Sequence, residues 1–195
     1  MTDMKQTINS VAIDLFYQKG YFATSISEIA RERGIQKASI YYHYTSKEEL
    51  IFSIMENTMN DLMEQLQNCI IGVSSVEEKI RLAIYGHVRF HLVRQKENFI
   101  ANSELRGLTP EHYRKIVERR DAYESIFQEI IGDGKEKGVF IDSDIKILSY
   151  AILTLCTSGA FWFKKGGRLT VEEIAEIYEM FILRGLSERA NPNIA

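Results

Sequence analysis

Proline is nearly absent from this chain, with two among 195 residues, Pro110 and Pro192. Proline removes a backbone donor and ends helices, so its scarcity leaves long stretches free to be helical. No stretch alternates apolar and polar residues between hairpin turns, as a half-buried sheet would require. Cysteine is equally sparse: Cys69 and Cys156 sit in helix-periodic apolar surroundings, which fits reduced, buried thiols and not a disulfide framework. No apolar run approaches the roughly 18 residues of a membrane span. The amino-terminal residues, with Asp3 and Lys5 ahead of an amphipathic pattern, lack the apolar stretch of a secretion signal. A cytoplasmic protein with no membrane partner is expected. Excess positive charge is missing too. The formal net charge is -3, whereas a protein that binds nucleic acid over its whole surface gains affinity by neutralising many phosphates and tends to be basic.

Motifs for catalysis are also missing. There is no nucleophile elbow, phosphate loop, dinucleotide fingerprint or specific metal motif, so no catalytic residue, cofactor or metal is predicted and the chain is read as a non-enzyme. Glu104 near Arg106 is read as an ion pair. His87 and His91 stand four apart, a spacing that can bring two imidazoles to one metal, but no third ligand is identifiable by spacing. They are read as a structural or pocket pair.

What is present is an all-α pattern of about nine helices. Ile8, Val11, Ala12, Leu15 and Phe16 recur at the spacing of one buried face over about 4–19, and Gly20 stops that helix. Ser25 and Glu28 form a capping box that starts a second helix, with Ile26, Ile29 and Ala30 inward and Gly34 supplying the positive φ of a tight turn. A third helix over about 37–44 is too short to be stable unless docked on its neighbours. Its surroundings are locally basic. Residues 1–50 balance Lys5, Lys19, Arg31, Arg33, Lys37 and Lys47 against Asp3, Asp14, Glu28, Glu32, Glu48 and Glu49, yet no acid lies between Arg33 and Lys47. The first turn of the third helix, with Lys37, Ala38 and Ser39, is the part that enters the major groove in helix-turn-helix proteins. Tyr41, Tyr42 and His43 carry polar tips suited to phosphate oxygens. Ser46 and Glu49 cap a fourth helix and place Lys47 at its amino end, where backbone amides and an ammonium together favour a phosphate. Such contacts set register, not sequence preference. The partner implied is double-stranded DNA.

The fourth helix, about 47–69, is long enough to join this unit to a second body at about 1.5 Å per residue, which divides the chain into 1–50 and 51–195. Further helices are expected over about 76–94, 98–106 and 110–138, the last opened by Thr109 as cap and Pro110 at its first position. Residues 145–163, IKILSYAILTLCTSGAFWF, are apolar nearly all round, so both faces demand cover. Thr170 and Glu173 cap a last helix with a stripe of Ile174, Ile177, Tyr178, Phe181, Ile182 and Gly185. Two such helices from each of two chains make a four-helix homodimer interface at Ile152, Gly159, Ile174, Tyr178, Phe181 and Gly185. The other reading is a monomer with 145–163 hidden at its centre. A dimer would set two short helices about one DNA turn apart, ~34 Å, on a palindromic operator.

The string Tyr41, Tyr42, His43, Tyr44, Thr45, Ser46, Lys47, after a threonine-rich helix start and a glycine turn, resembles the DNA-binding region of the tetracycline-repressor (TetR) family. That resemblance covers about the first 50 residues. It implies that Thr24 and Ser25 meet the DNA backbone, that Lys37, Ala38 and Ser39 face bases, and that Tyr41, Tyr42, His43 and Lys47 hold phosphates. Most such proteins are repressors released by a ligand. The run Trp162, Phe163, Lys164, Lys165, Gly166, Gly167 resembles the acyl-CoA-responsive branch, although a basic residue often precedes the tryptophan there and this chain has Phe161. The resemblance implies a small-molecule effector such as a fatty acyl-CoA, in a pocket of Phe99, Asn102, Arg106, Tyr123, Phe127, Thr154, Trp162 and Phe163, with Arg106, Lys164, Lys165 or Arg168 available to phosphates. The fourth helix would act as the lever. A helical ligand carrier that no longer reads DNA is the alternative.

Overall fold

The computed structural model describes residues 4–187. Ten α-helices follow one another: α1 (Met4–Lys19), α2 (Ile26–Arg33), α3 (Lys37–His43), α4 (Lys47–Ile70), α5 (Val76–Val93), α6 (Gln95–Ser103), α7 (Pro110–Glu136), α8 (Ile145–Thr157), α9 (Gly159–Trp162) and α10 (Val171–Leu186). Nine exceed one turn; α9 has four residues. Among the described residues there is no β-strand, only an isolated antiparallel bridge between Phe140 and Ser187.

The chain divides into two compact units, 1–61 with 94–119, and 62–93 with 120–195. The first therefore takes in α6 and the start of α7 besides the amino-terminal helices, a grouping that linear periodicity does not contain. Its core is built by Ile8, Ala12 and Phe16 of α1, Ile29 of α2, Ile40 of α3 and Leu50, Ile51 and Met55 of α4, together with Ile100 and Ile116. Gly20 and Gly34 both take positive φ, 83° and 73°, and stop α1 and α2 as their positions required.

Of the three helix starts expected to be capping boxes, two close only halfway. Ser25 Oγ accepts the Glu28 amide at 3.1 Å, but the Glu28 carboxylate pairs with Lys19 instead of reaching back. Ser46 Oγ accepts the Glu49 amide at 3.0 Å, while the Glu49 carboxylate accepts from the amide and hydroxyl of Thr45, one residue beyond Ser46. The third, at the start of α10, closes reciprocally between Thr170 and Glu173. The sixth helix begins three residues earlier than periodicity suggests and ends in a 3-10 turn, Leu105–Gly107.

In the second unit α10 lies along α5, tied by ion pairs from Arg81 to Glu179 at 3.4 Å and from Arg89 to Glu172 at 3.6 Å. Gly134 does not break α7. A Cβ there would stand 2.0 Å from the Phe140 ring, so its missing side chain makes room for the returning chain. The expected helix over 145–163 stops at Thr157 and resumes as α9. Residues 145–162 average a hydropathy of 1.4 over 18 residues, which corrects the expectation that no run reaches the length and apolarity of a membrane span. Continuous helix there amounts to 13 residues, or about 20 Å against the roughly 30 Å of a hydrocarbon core.

Candidate nucleic-acid interface

α3 is anchored by Ile40, fully buried, and by Tyr44 just beyond it, whose hydroxyl donates to Asn9 Oδ1 of α1 at 2.5 Å. These inward residues fix which side of the helix faces out. Lys37, Ala38, Tyr41 and Tyr42 are exposed, Tyr42 at 86%. Lys37 Nζ lies 5.5 Å from the centre of the Tyr41 ring, and His43 meets Tyr42 edge to face at 5.1 Å. Ser39 and His43 are half-buried. The structure thus brings Lys37, Ala38, Tyr41 and Tyr42 onto one outward edge with cationic and phenolic tips, an arrangement suited to a polyanion.

Two residues of the expected set turn inward. Thr24 is 1% exposed, and its hydroxyl donates to the Gly20 carbonyl at 2.9 Å and the Leu15 carbonyl at 3.4 Å. It closes the turn between α1 and α2, and its hydroxyl is not presented to an outside phosphate. Ser25 is exposed, with its hydroxyl engaged at the start of α2. Lys47 donates to the carbonyls of Tyr21 and Thr24 at 2.9 and 2.8 Å and lies 4.1 Å from the centre of the Tyr21 ring. Partial burial holds its ammonium below the usual lysine range. Two of its three donors are spent on the fold, so its first task is to clamp the first turn of α4 to the α1–α2 connection. Beside it, Glu48 accepts from the Thr109 amide at 2.8 Å and engages His112 Nδ1 at 2.8 Å, while the imidazole stacks on Phe52 at 3.7 Å. These partners are far apart in sequence, and no local pattern announces them.

The expected effector residues divide. Phe99, Asn102 and Arg106 belong to the first unit, where Phe99 meets Tyr17 edge to face at 5.1 Å and Asn102 donates to the Asn98 carbonyl at 2.7 Å. Tyr123, Phe127, Thr154, Trp162 and Phe163 belong to the second. There Tyr123 and Phe127 are buried beside His87. Thr154 and Trp162 are exposed, and it is Thr157 that reaches the imidazole. His87 Nδ1 lies 2.9 Å from the Tyr123 hydroxyl and Nε2 lies 3.1 Å from Thr157 Oγ1. His91 stacks on His87 at 4.1 Å, and its Nδ1 donates to the His87 carbonyl at 3.0 Å. Burial holds His87 well below the usual histidine range and pushes His91 down to about 4, drives the Tyr123 phenol well up, and raises the Cys156 thiol to about 12. These groups are neutral near pH 7. In the first unit a separate cleft of about 500 Å³ opens between α1, α4 and the start of α6. None of the eight expected effector residues lines it, and its charged walls are paired, Lys96 with Asp14 and Arg94 with Asp61.

The expected dimer residues also divide. Ile152, Gly159 and Ile174 are buried within their own chain, and a Cβ at Gly159 would stand 2.8 Å from Leu92 Cδ2. That glycine serves close packing against α5. Tyr178 is half-buried, while Phe181 and Gly185 face outward. Besides Phe181, the exposed large apolar residues of the last three helices are Ile147, Tyr150 and Leu155 of α8, Phe161 and Trp162 of α9, and Ile177 and Met180 of α10.

Residues 8–54 match the family described as bacterial regulatory proteins, tetR family, and residues 73–186 match the tetracyclin repressor-like C-terminal domain. The chain is 23% identical over 185 residues to the HTH-type transcriptional repressor KstR2 of Rhodococcus jostii, spanning 93% of this chain and 90% of the repressor. A tetR-family regulatory protein from Rhodococcus RHA1 superimposes with a TM-score of 0.90 at 26% identity, covering 96% and 98% of the two chains. AibR, solved in complex with isovaleryl coenzyme A and operator DNA, superimposes with a TM-score of 0.83 at 28% identity, covering 90% and 96%.

Proposed function

From the premise that this chain belongs to the TetR family of bacterial DNA-binding transcriptional regulators, we propose that it is a cytoplasmic homodimeric repressor, without enzymatic activity, released from a palindromic operator by an apolar or acyl-CoA effector. The observation that carries the reading is the outward edge of α3, where Lys37, Tyr41 and Tyr42 are displayed while Ile40 and Tyr44 are held inside. Lys37, Ala38 and Ser39 face base edges; Tyr41, Tyr42 and His43 hold phosphates. Thr24 and Lys47 act behind them by fixing the α1–α2 connection, with Ser25 opening α2.

Residues 1–50 read DNA, and 51–195 bind effector and dimerise. The large apolar side chains that α8 and α10 leave exposed, among them Ile147, Tyr150, Ile177 and Phe181, support self-pairing, because such side chains gain by being covered. Effector binding centres on Tyr123 and Phe127, beside the neutral His87, with Thr154, Trp162 and Phe163 of the same unit contributing as the ligand enters. An apolar site with a few converging polar groups is the usual form of a small-molecule pocket. AibR binds a coenzyme A thioester and operator DNA, which supports the acyl-CoA class. The effector can shift DNA affinity only by its own preference for one of two arrangements. A gel shift against DNA upstream of the coding sequence, repeated with a series of acyl-CoA thioesters, tests all of this. Salt-sensitive binding lost on adding one chain-length class is expected; binding to no duplex would overturn it.

A further inference from the structure

We propose that His91 Nε2 accepts a hydrogen bond from a hydroxyl on the acyl chain of the effector, so that the regulator prefers hydroxylated acyl-CoA thioesters to unsubstituted ones; this rests on the effector site and the acyl-CoA class proposed above. The two stacked imidazoles of the second unit are not equivalent. His87 uses both ring nitrogens, one on Tyr123 and one on Thr157. His91 uses one, with Nδ1 against the His87 carbonyl at 3.0 Å. A carbonyl oxygen can only accept, so Nδ1 carries the proton, and in a neutral imidazole Nε2 is then left as an acceptor. The ring is neutral because burial, and beside it the Arg120 guanidinium, disfavour a second proton.

Among the described residues no hydrogen bond reaches Nε2, although His91 is only 3% exposed. Arg33 Nε is the one described side-chain nitrogen or oxygen that is both fully enclosed and unpaired, so His91 Nε2 faces space that a ligand can enter. An acceptor held in an interior without a donor is destabilising, and a place where a chain breaks that rule without a local gain is where function is expected. The surroundings say what kind of donor fits. Phe90 meets His91 edge to face at 6.1 Å, and Phe127 meets His87 in the same way at 6.2 Å. Ring walls of this kind suit an acyl chain. Methylene and ketone groups on such a chain carry no donor; a hydroxyl carries one. A site built to pair with a hydroxyl rejects the analogue that lacks it, because the buried acceptor is then left alone.

The test is calorimetric titration of the full-length protein with acyl-CoA thioesters of one chain length, bearing a β-hydroxyl, an ω-hydroxyl, a β-ketone or no substituent. One of the hydroxylated thioesters is expected to bind wild type about ten-fold more tightly than the unsubstituted one, and the ketone no more tightly. In His91→Leu that ratio should fall to about one, while His91→Gln, whose amide oxygen can stand near the place of Nε2, should keep part of it. Equal affinities for all four thioesters in wild type, or an undiminished ratio in His91→Leu, would overturn the inference. Should His91→Leu fail to fold, the wild-type contrast between hydroxyl and ketone decides alone. Binding of none of the thioesters would overturn the acyl-CoA class itself.

Discussion

Two regions expose large apolar side chains to solvent, and they do so with different chemistry. On α3 the exposed rings are tyrosines, one of them beneath a lysine ammonium. On α8, α9 and α10 they are isoleucine, leucine, methionine and phenylalanine alongside Tyr150 and Trp162. A phenol with a cation beside it can face a hydrated phosphate backbone, whereas an aliphatic face gains only by being covered. The kind of exposure, more than its extent, tells which partner each surface suits.

Phe181 is the most exposed apolar residue of α8, α9 and α10. Phe181→Asp places a carboxylate on the aliphatic face and should weaken self-association by about 3 kcal/mol, roughly 100-fold. Analytical ultracentrifugation would read it; an unchanged dimer would remove this face from the interface. Acid acts inside the second unit on a similar scale. His91, held to about 4 when folded, is neutral there and protonates more readily once unfolded, so its stabilising contribution is present above the ordinary histidine range and is lost as pH falls toward 4. That loss amounts to about 3 kcal/mol, and His87 is shifted in the same direction. Melting temperatures followed from pH 7 to 4 should fall, and His91→Leu should flatten the slope.

The lysines of the first unit sharpen the contrast further. Lys47→Met removes two charge-assisted bonds to carbonyls and should cost about 2 kcal/mol of folding stability, while Lys37→Met should leave stability near wild type and reduce the salt slope of DNA binding by about one. Denaturant titration beside salt-dependent gel shifts separates the two; equal effects on stability would contradict the clamp. Tyr42→Ala is the smallest change. It should weaken binding by about 1 kcal/mol at every sequence alike, and a loss confined to one sequence would make Tyr42 a base reader.

Much of this was legible along the chain because it rests on short-range physics. The apolar spacing of α1, the serines before α2 and α4 and the glycines at 20 and 34 behave as local rules demand. Partners were harder to read. Glu28 is taken by Lys19 nine residues away, and Lys47 faces carbonyls more than twenty residues back. A lysine beside a helix start looks the same in sequence whether it faces a phosphate or the chain's own backbone. The Thr24 hydroxyl, likewise, reads the same along the chain whether it meets a phosphate or the Gly20 carbonyl that it faces here. Over 145–163, apolar nearly all round, periodicity carries no information about which face is covered, so it does not reveal that Ile152 and Gly159 pack within the chain.

By itself the sequence determined an all-helical chain, a glycine-punctuated amino-terminal triplet of helices and a locally basic aromatic edge, because helix periodicity, capping and turn conformation act over a few residues. Only the tertiary structure decided that α6 joins the first unit, that Lys47 and Thr24 serve the frame, and that His87 is held by Tyr123 and Thr157. Those outcomes depend on which distant side chains compete for the same donor or the same space, and that competition is settled by packing.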